Sequence, residues 1–162
     1  MDSSINDEIR QENKTAADYL LFYYEYRERY EQMRQLIVDS SPTLILQDVS
    51  ASNKPITDPT GRKAVELVAK FETLGKWLQV VEEVEQKLPP KLKVFCQLRR
   101  EYRYAGARGW TALMQVHYPE AMAKATGGRA EEFWVDSERT FRNWWRKIVN
   151  FTARLAAKRG LI

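Results

Sequence analysis

Apolar and aromatic residues recur at spacings of three and four along most of the chain, the period of an α-helix that buries one face. Near the N-terminus this period produces an aromatic stripe from Tyr19 to Ile37. No segment shows the strict apolar and polar alternation of a half-buried strand. The sequence therefore predicts an all-α fold, with an N-terminal helical hairpin followed by a C-terminal helix-turn-helix-like bundle.

Capping residues, prolines and glycines set the predicted ends of the helices. Thr15 with Asp18 resembles a capping box and predicts a first helix that reaches about Asp39. Asp58 before Pro59 predicts the next start, and Pro89-Pro90 ends that helix. Three more helices are predicted over Lys91–Tyr104, over Trp110–Ala125 with an interruption near Pro119, and from Asp136 or Ser137 to Lys158, where Gly160 acts as a terminator.

The same patterns predict three regions. Residues 1–14 are polar and are expected to be frayed, residues 15–88 form a helical packing or oligomerisation region, and residues 89–162 form a DNA-binding helical domain. Residues 40–57, rich in Ser, Pro and Asn, are expected to be an exposed connection in which Leu44–Leu46 dock on a neighbour. Gly75 inside the 59–88 helix indicates a close contact or a slight kink.

Composition excludes several classes of protein. The single Cys96 makes no internal disulfide, and one histidine leaves no zinc-type set of ligands, so no metal and no cofactor are expected. No run of about 18 apolar residues is present, which argues against a membrane span. The first ten residues are polar and acidic and lack the apolar stretch of a signal peptide. These features predict a cytoplasmic protein.

No catalytic group is predicted. His117 stands in Val116-His117-Tyr118 without a nucleophile motif around it, which is typical of an ordinary, partly buried histidine. Gly61-Arg62-Lys63 lacks the upstream glycine and the spacing of a phosphate-binding loop. We therefore do not expect an enzyme.

Charge is distributed unevenly along the chain. Residues 1–88 hold 11 basic and 16 acidic side chains, and residues 89–162 hold 15 basic and 6 acidic ones. A basic half joined to an acidic half is typical of a chain that binds a polyanion at one end. The alternative interpretation is chance clustering of charges on solvated helix faces.

The last helix separates into two faces when residues are placed about 100° apart. The apolar face holds Phe141, Trp144, Trp145, Ile148, Val149, Phe151, Thr152 and Leu155. The opposite face holds Arg139, Arg142, Asn143, Arg146, Lys147, Asn150 and Arg154, and Ser137 caps the start. Guanidinium groups pair with phosphates and with guanine, and asparagine pairs with adenine. The sequence therefore predicts that this helix enters the major groove of DNA.

Other basic residues are candidates for contacts with the phosphate backbone. They are Lys124 and Arg129 in the connection before the last helix, and Arg99, Arg100, Arg103 and Arg108. The alternative for the whole basic face is that its charges are only solvated.

The order of these segments resembles a known family. The segments are an aromatic-rich first helix, the start at Asp58-Pro59-Thr60-Gly61-Arg62, the Phe95–Tyr104 helix, and Ser137-Glu138-Arg139-Thr140-Phe141-Arg142 leading into Trp145-Arg146-Lys147-Ile148. They are similar to the RinA/ArpU-type regulators of phage late genes, whose C-terminal part resembles region four of sigma factors. Ser137, Thr140 and Arg142 occupy the positions that open the recognition helix. The longer stretch between Trp110 and Trp134 departs from the family pattern.

The resemblance implies an activator of phage late genes in a bacterial host, which binds double-stranded DNA and contacts RNA polymerase. Two other interpretations stay open: a helical DNA-packaging protein such as a small terminase component, and a protein-interaction module without nucleic acid. The Tyr19–Ile37 stripe is suited to homo-oligomerisation, and equally to packing within one chain against the 59–88 helix.

Overall fold

The computed structural model describes residues 2–39 and 59–162, and its regular elements in those ranges are all helical. They are α1 (Asp2–Leu21), α2 (Tyr23–Asp39), α3 (Pro59–Lys87), α4 (Pro90–Glu101), α5 (Gly106–Thr126), a 3-10 turn (Ala130–Phe133) and α6 (Glu138–Lys158). The all-α prediction is confirmed for these ranges. The predicted connection at 40–57, with Leu44–Leu46, and the predicted cap Asp58 lie outside the described residues.

The N-terminal helix differs from its prediction. It begins at Asp2 instead of Thr15, so the segment expected to be frayed is helical, and α1 and α2 are separated at Phe22. Thr15 does not cap a helix, because its Oγ1 donates to the carbonyl oxygen of Gln11 at 3.0 Å, four residues back within α1. The capping-box prediction is therefore wrong, because serine, threonine and aspartate also occur inside polar helices.

Several later helix boundaries agree with the sequence, although α4 ends at Glu101 instead of Tyr104 and α5 begins at Gly106 instead of Trp110. The helix that starts at Pro59 ends at Lys87, before Pro89-Pro90. Gly127 and Gly160 adopt left-handed φ angles of 75° and 71° just beyond α5 and α6, as helix-terminating glycines do. Pro119, in contrast, lies inside an uninterrupted α5. Tyr118 and Pro119 are both buried, and their packing offsets the backbone hydrogen bond that the proline removes.

The structure divides into two compact units, Met1–Tyr23 with Gln79–Ile162 and Tyr24–Leu78. In the Tyr24–Leu78 unit, α2 packs on α3 through the rings of Tyr30 and Phe71, which stack with centroids 4.5 Å apart. Gly75 allows this approach, because a Cβ atom there would lie 3.1 Å from Cε2 of Tyr30. The close contact expected at this glycine is thus confirmed. The predicted division of roles at residues 88 and 89 stays a prediction.

The larger unit has an aromatic core built from α4, α5 and α6. Phe95, Tyr118, Phe141 and Trp144 contact one another with ring centroids 5.4–5.9 Å apart, mostly edge to face. Ala16 and Leu20 of α1 are buried in the same unit, where α1 packs against α6. No helix in the described ranges has both the length and the apolar character needed to cross a membrane.

Candidate nucleic-acid interface

The inner face of α6 fixes this helix in the core. Phe141, Ile148 and Thr152 are at most 2% exposed, and Thr152 satisfies its hydroxyl by donating to the carbonyl oxygen of Ile148 at 2.8 Å. Trp144 stands edge-on to Phe95 and Phe141. Since these contacts define the rotation of α6 about its axis, they also define which side chains face solvent.

The outer face of α6 is basic and open. Arg139, Arg142, Asn143, Arg146, Lys147 and Arg154 are exposed, and Asn150 is half-buried. Within the described part of the chain, Arg142 alone among these cations has a carboxylate within 4 Å, a contact of 3.9 Å to the exposed Glu138. No acidic residue follows Glu138 in the sequence. The face therefore keeps its positive charge available to an anion.

The N-terminal end of α6 is capped as predicted. Ser137 has extended backbone angles, and its Oγ accepts a hydrogen bond from the backbone N–H of Arg139 at 3.2 Å. Glu138 lies in the first turn, where a carboxylate stabilises the helix dipole. In this structure the hydroxyl of Ser137 is thus engaged in holding the start of the helix.

Lys124 lies in the last turn of α5, and Arg129 lies just before the 3-10 turn. Both side chains are exposed. The connection after α5 runs back along that helix, because Nε2 of Gln115 donates to the carbonyl oxygen of Val135 at 3.2 Å. At 1.5 Å per residue, Lys124 is about 13 Å further along α5 than Gln115. Lys124 therefore lies at the opposite end of this stretch of α5 from the contact with Val135.

Arg100 is not available to a phosphate, contrary to the sequence prediction. Its side chain is 2% exposed, and its Nε donates to the carbonyl oxygen of Leu20 at 3.0 Å. Its Nη2 forms an ion pair with Glu85, and the guanidinium lies 4.8 Å from the ring centroid of Tyr23. Arg100 thus joins α4 to the end of α1 and to α3.

Arg99 is also buried, at 8% exposed, and the prediction of a phosphate contact is wrong for it as well. Its guanidinium lies 4.2 Å from the ring of Trp110 and 5.1 Å from that of Trp145. Within the described residues, Nε and Nη1 have no hydrogen-bond partner. Burial lowers the pKa of Arg99 to about 10, so the group stays charged at neutral pH.

The two remaining arginines of this set differ from each other. Arg103 is half-buried, and its Nη1 donates to the carbonyl oxygen of Arg100 at 2.8 Å, near the end of α4. Arg108, at the start of α5, is exposed. The four arginines thus differ in burial, because Arg99 and Arg100 are enclosed by residues from other helices. No local pattern in the sequence predicts which of the four are buried.

Phe151 is a residue that sequence reasoning misplaced. The sequence pattern predicts that it lies on the apolar face of the last helix, but its side chain is 40% exposed. The buried sector of α6 is centred towards Thr152 and Ala156, which leaves Phe151 at the border of the basic face. Ala153 and Ala156 are buried, so the buried sector of α6 includes positions of small residues as well as large ones. Including the alanines in the apolar face would have shifted its predicted centre away from Phe151.

Comparisons of the chain with models of protein families, with curated proteins and with solved structures find no match. A function is therefore inferred below from the geometry of α6 and its surroundings.

Proposed function

We propose that the protein is a sequence-specific, double-stranded DNA-binding regulator of transcription that places α6 in the major groove. The observation that carries the proposal is the outer face of α6, where exposed arginines and amides stand on a helix fixed from behind by aromatic rings. The proposal includes an N-terminal helical hairpin and a C-terminal helix-turn-helix-like bundle that contains α6. By the family resemblance, it extends to activation of phage late genes and contact with bacterial RNA polymerase.

The chemistry of the exposed face fits a DNA duplex. An α-helix fits the major groove, where each base pair presents its own set of hydrogen-bond donors and acceptors. Arginine forms paired hydrogen bonds with guanine or phosphate, and asparagine does so with adenine. A face without carboxylates beyond the first turn is not repelled by the phosphates.

Replacing Arg142 and Arg146 together with glutamine tests the proposal. Glutamine keeps helix propensity and removes two positive charges, so we expect affinity for a duplex to fall at least tenfold at 100 mM salt. We also expect the slope of log K against log salt to become shallower by about 1.8. Fluorescence anisotropy with a labelled duplex measures both, and circular dichroism checks that helicity is retained.

A matched control variant carries Lys63→Gln and Lys70→Gln. Both lysines are exposed on α3 in the other unit, so the net charge changes equally while α6 is untouched. We expect the control to bind within about twofold of the original protein. Equal losses in both double variants would show that net charge alone governs binding, and this would contradict a role for α6.

The role in transcription needs a separate readout. A regulator protects a segment upstream of a promoter in a footprint and changes the output of a reporter gene, and both effects are lost in the Arg142 and Arg146 variant. A DNA-packaging protein would bind DNA without changing the reporter. Homo-oligomerisation through the Tyr19–Ile37 region also remains part of the proposal.

A further inference from the structure

Phe151 is the large apolar side chain of α6 that the core leaves exposed to solvent. It is 40% exposed, while Phe141 on the same helix is fully buried. Within the described part of the chain it forms no ring contact. A single exposed apolar side chain is common on protein surfaces, so its surroundings decide what it indicates.

The surroundings of Phe151 are basic. Lys147 precedes it by one helical turn, Arg154 follows it by nearly one turn, and Asn150 is adjacent in the chain. Both cations are exposed, and within the described residues neither pairs with a carboxylate. An aromatic ring set among unneutralised cations is complementary to a nucleic acid, whose bases and phosphates supply an apolar and an anionic contact together.

The basic face has a central stripe that runs along most of α6. Arg139, Asn143, Arg146 and Asn150 fall within a sector of about 60°, and Arg154 continues the stripe. From Arg139 to Arg154 the helix rises about 22 Å, which corresponds to about six base pairs at 3.4 Å each. A helix that enters the groove only with its first turn would leave most of this stripe without a ligand.

We propose that α6 lies lengthwise along the major groove, and that Phe151 contacts the 5-methyl group of a thymine near the C-terminal end of the stripe. This inference rests on the proposed function, because it requires α6 to bind duplex DNA. Phe151 would then be an apolar specificity determinant beside the central stripe of arginines and asparagines.

Thymine is the base that fits this position. Its 5-methyl group is the apolar group that the bases present in the major groove, and aromatic or small apolar side chains contact it. Hydrogen bonds from arginine and asparagine do not detect that methyl group. Phe151 therefore supplies discrimination between thymine and other bases that the central stripe does not provide.

The test begins with a 20-base-pair duplex selected by the full-length protein from a random pool. Each thymine in the selected duplex is then replaced in turn by uracil, which removes only the methyl group. We expect one or two positions at which the original protein loses about threefold to tenfold in affinity. The Phe151→Ala variant should show a similar loss on the thymine duplex and no further loss on the uracil duplex.

The control variant is Trp134→Ala, which removes an aromatic side chain that is 58% exposed outside α6. It should retain the full response to uracil. Circular dichroism of both variants excludes loss of folding as the cause.

Each other outcome overturns the inference. If Phe151→Ala and the original protein respond to uracil alike at every position, Phe151 does not contact a thymine. If Phe151→Ala binds DNA normally and only the reporter response is lost, the ring docks on a protein instead. In both cases a loss of binding in the Arg142 and Arg146 variant leaves the proposed function standing. If no sequence is enriched from the pool, both the inference and sequence-specific binding are contradicted.

Discussion

Two neighbouring arginines of α4 are buried, although arginine side chains usually lie on the protein surface. The guanidinium of Arg99 contacts the indole rings of Trp110 and Trp145, and Arg100 is held by the carbonyl oxygen of Leu20 and the carboxylate of Glu85. Sequence reasoning placed both on the surface, because arginine is rarely buried without partners. The partners come from segments far away in the chain, so no local pattern reveals them.

Arg100→Met tests the structural role of this residue. Methionine keeps an unbranched apolar stem but leaves the carbonyl oxygen of Leu20 and the partly exposed carboxylate of Glu85 without their donor. We expect the free energy of unfolding to fall by about 3 kcal/mol, measured by urea denaturation. The same change at the exposed Arg108 should cost less than about 0.5 kcal/mol. Similar losses at the two positions would contradict the role of Arg100.

At the scale of the helices, the predictions succeeded where a local signal defines a boundary. Pro59, Ser137 and Gly160 mark ends that the structure reproduces, because capping and left-handed φ angles depend on a few adjacent residues. The start of α1 at Asp2 was missed, since a polar composition predicts fraying and carries no signal for tertiary packing. On α6 the basic face was predicted correctly, and Phe151 was not.

Ser137 gives a prediction at this scale. Ser137→Ala removes the oxygen that accepts from the backbone of Arg139, and we expect the free energy of unfolding to fall by about 1 kcal/mol. Ser137→Asp retains an acceptor and favours the helix dipole, so it should unfold at the same urea concentration as the original protein or a higher one. If aspartate destabilises as much as alanine, the cap does not stabilise α6.

At the scale of the whole molecule, the core of the larger unit holds groups that resist ionisation. Burial raises the pKa of the Cys96 thiol from 9.0 to about 12, and burial likewise raises the pKa of Tyr118 to about 12. The lowered pKa of Arg99 acts in the opposite direction, but only above about pH 10. Between pH 9 and 10 the unfolded chain therefore binds fewer protons than the folded protein.

Stability should consequently decrease in alkaline solution, starting near pH 9. The slope approaches about 1.4 kcal/mol per pH unit for each proton that the unfolded chain loses. In the Cys96→Ala variant the decrease between pH 9 and 10 should be largely absent, because the first of these groups is removed. Urea denaturation at intervals from pH 8 to 10.5 measures both curves. Parallel curves for the two proteins would show that Cys96 does not contribute.

The larger unit is made from two separate stretches of chain, Met1–Tyr23 and Gln79–Ile162. Near the point where the chain leaves this unit and the point where it returns, the hydroxyl of Tyr23 donates to Oε1 of Glu82 at 2.7 Å. Residues 24–78 are thus an insertion in the sequence of the larger unit, which the chain leaves after Tyr23 and re-enters at Gln79. Phe95, Phe141 and Trp144, whose rings hold α6 from behind, belong to the larger unit, so exchanging residues 24–78 for a short turn is expected to leave these supports of α6 in place.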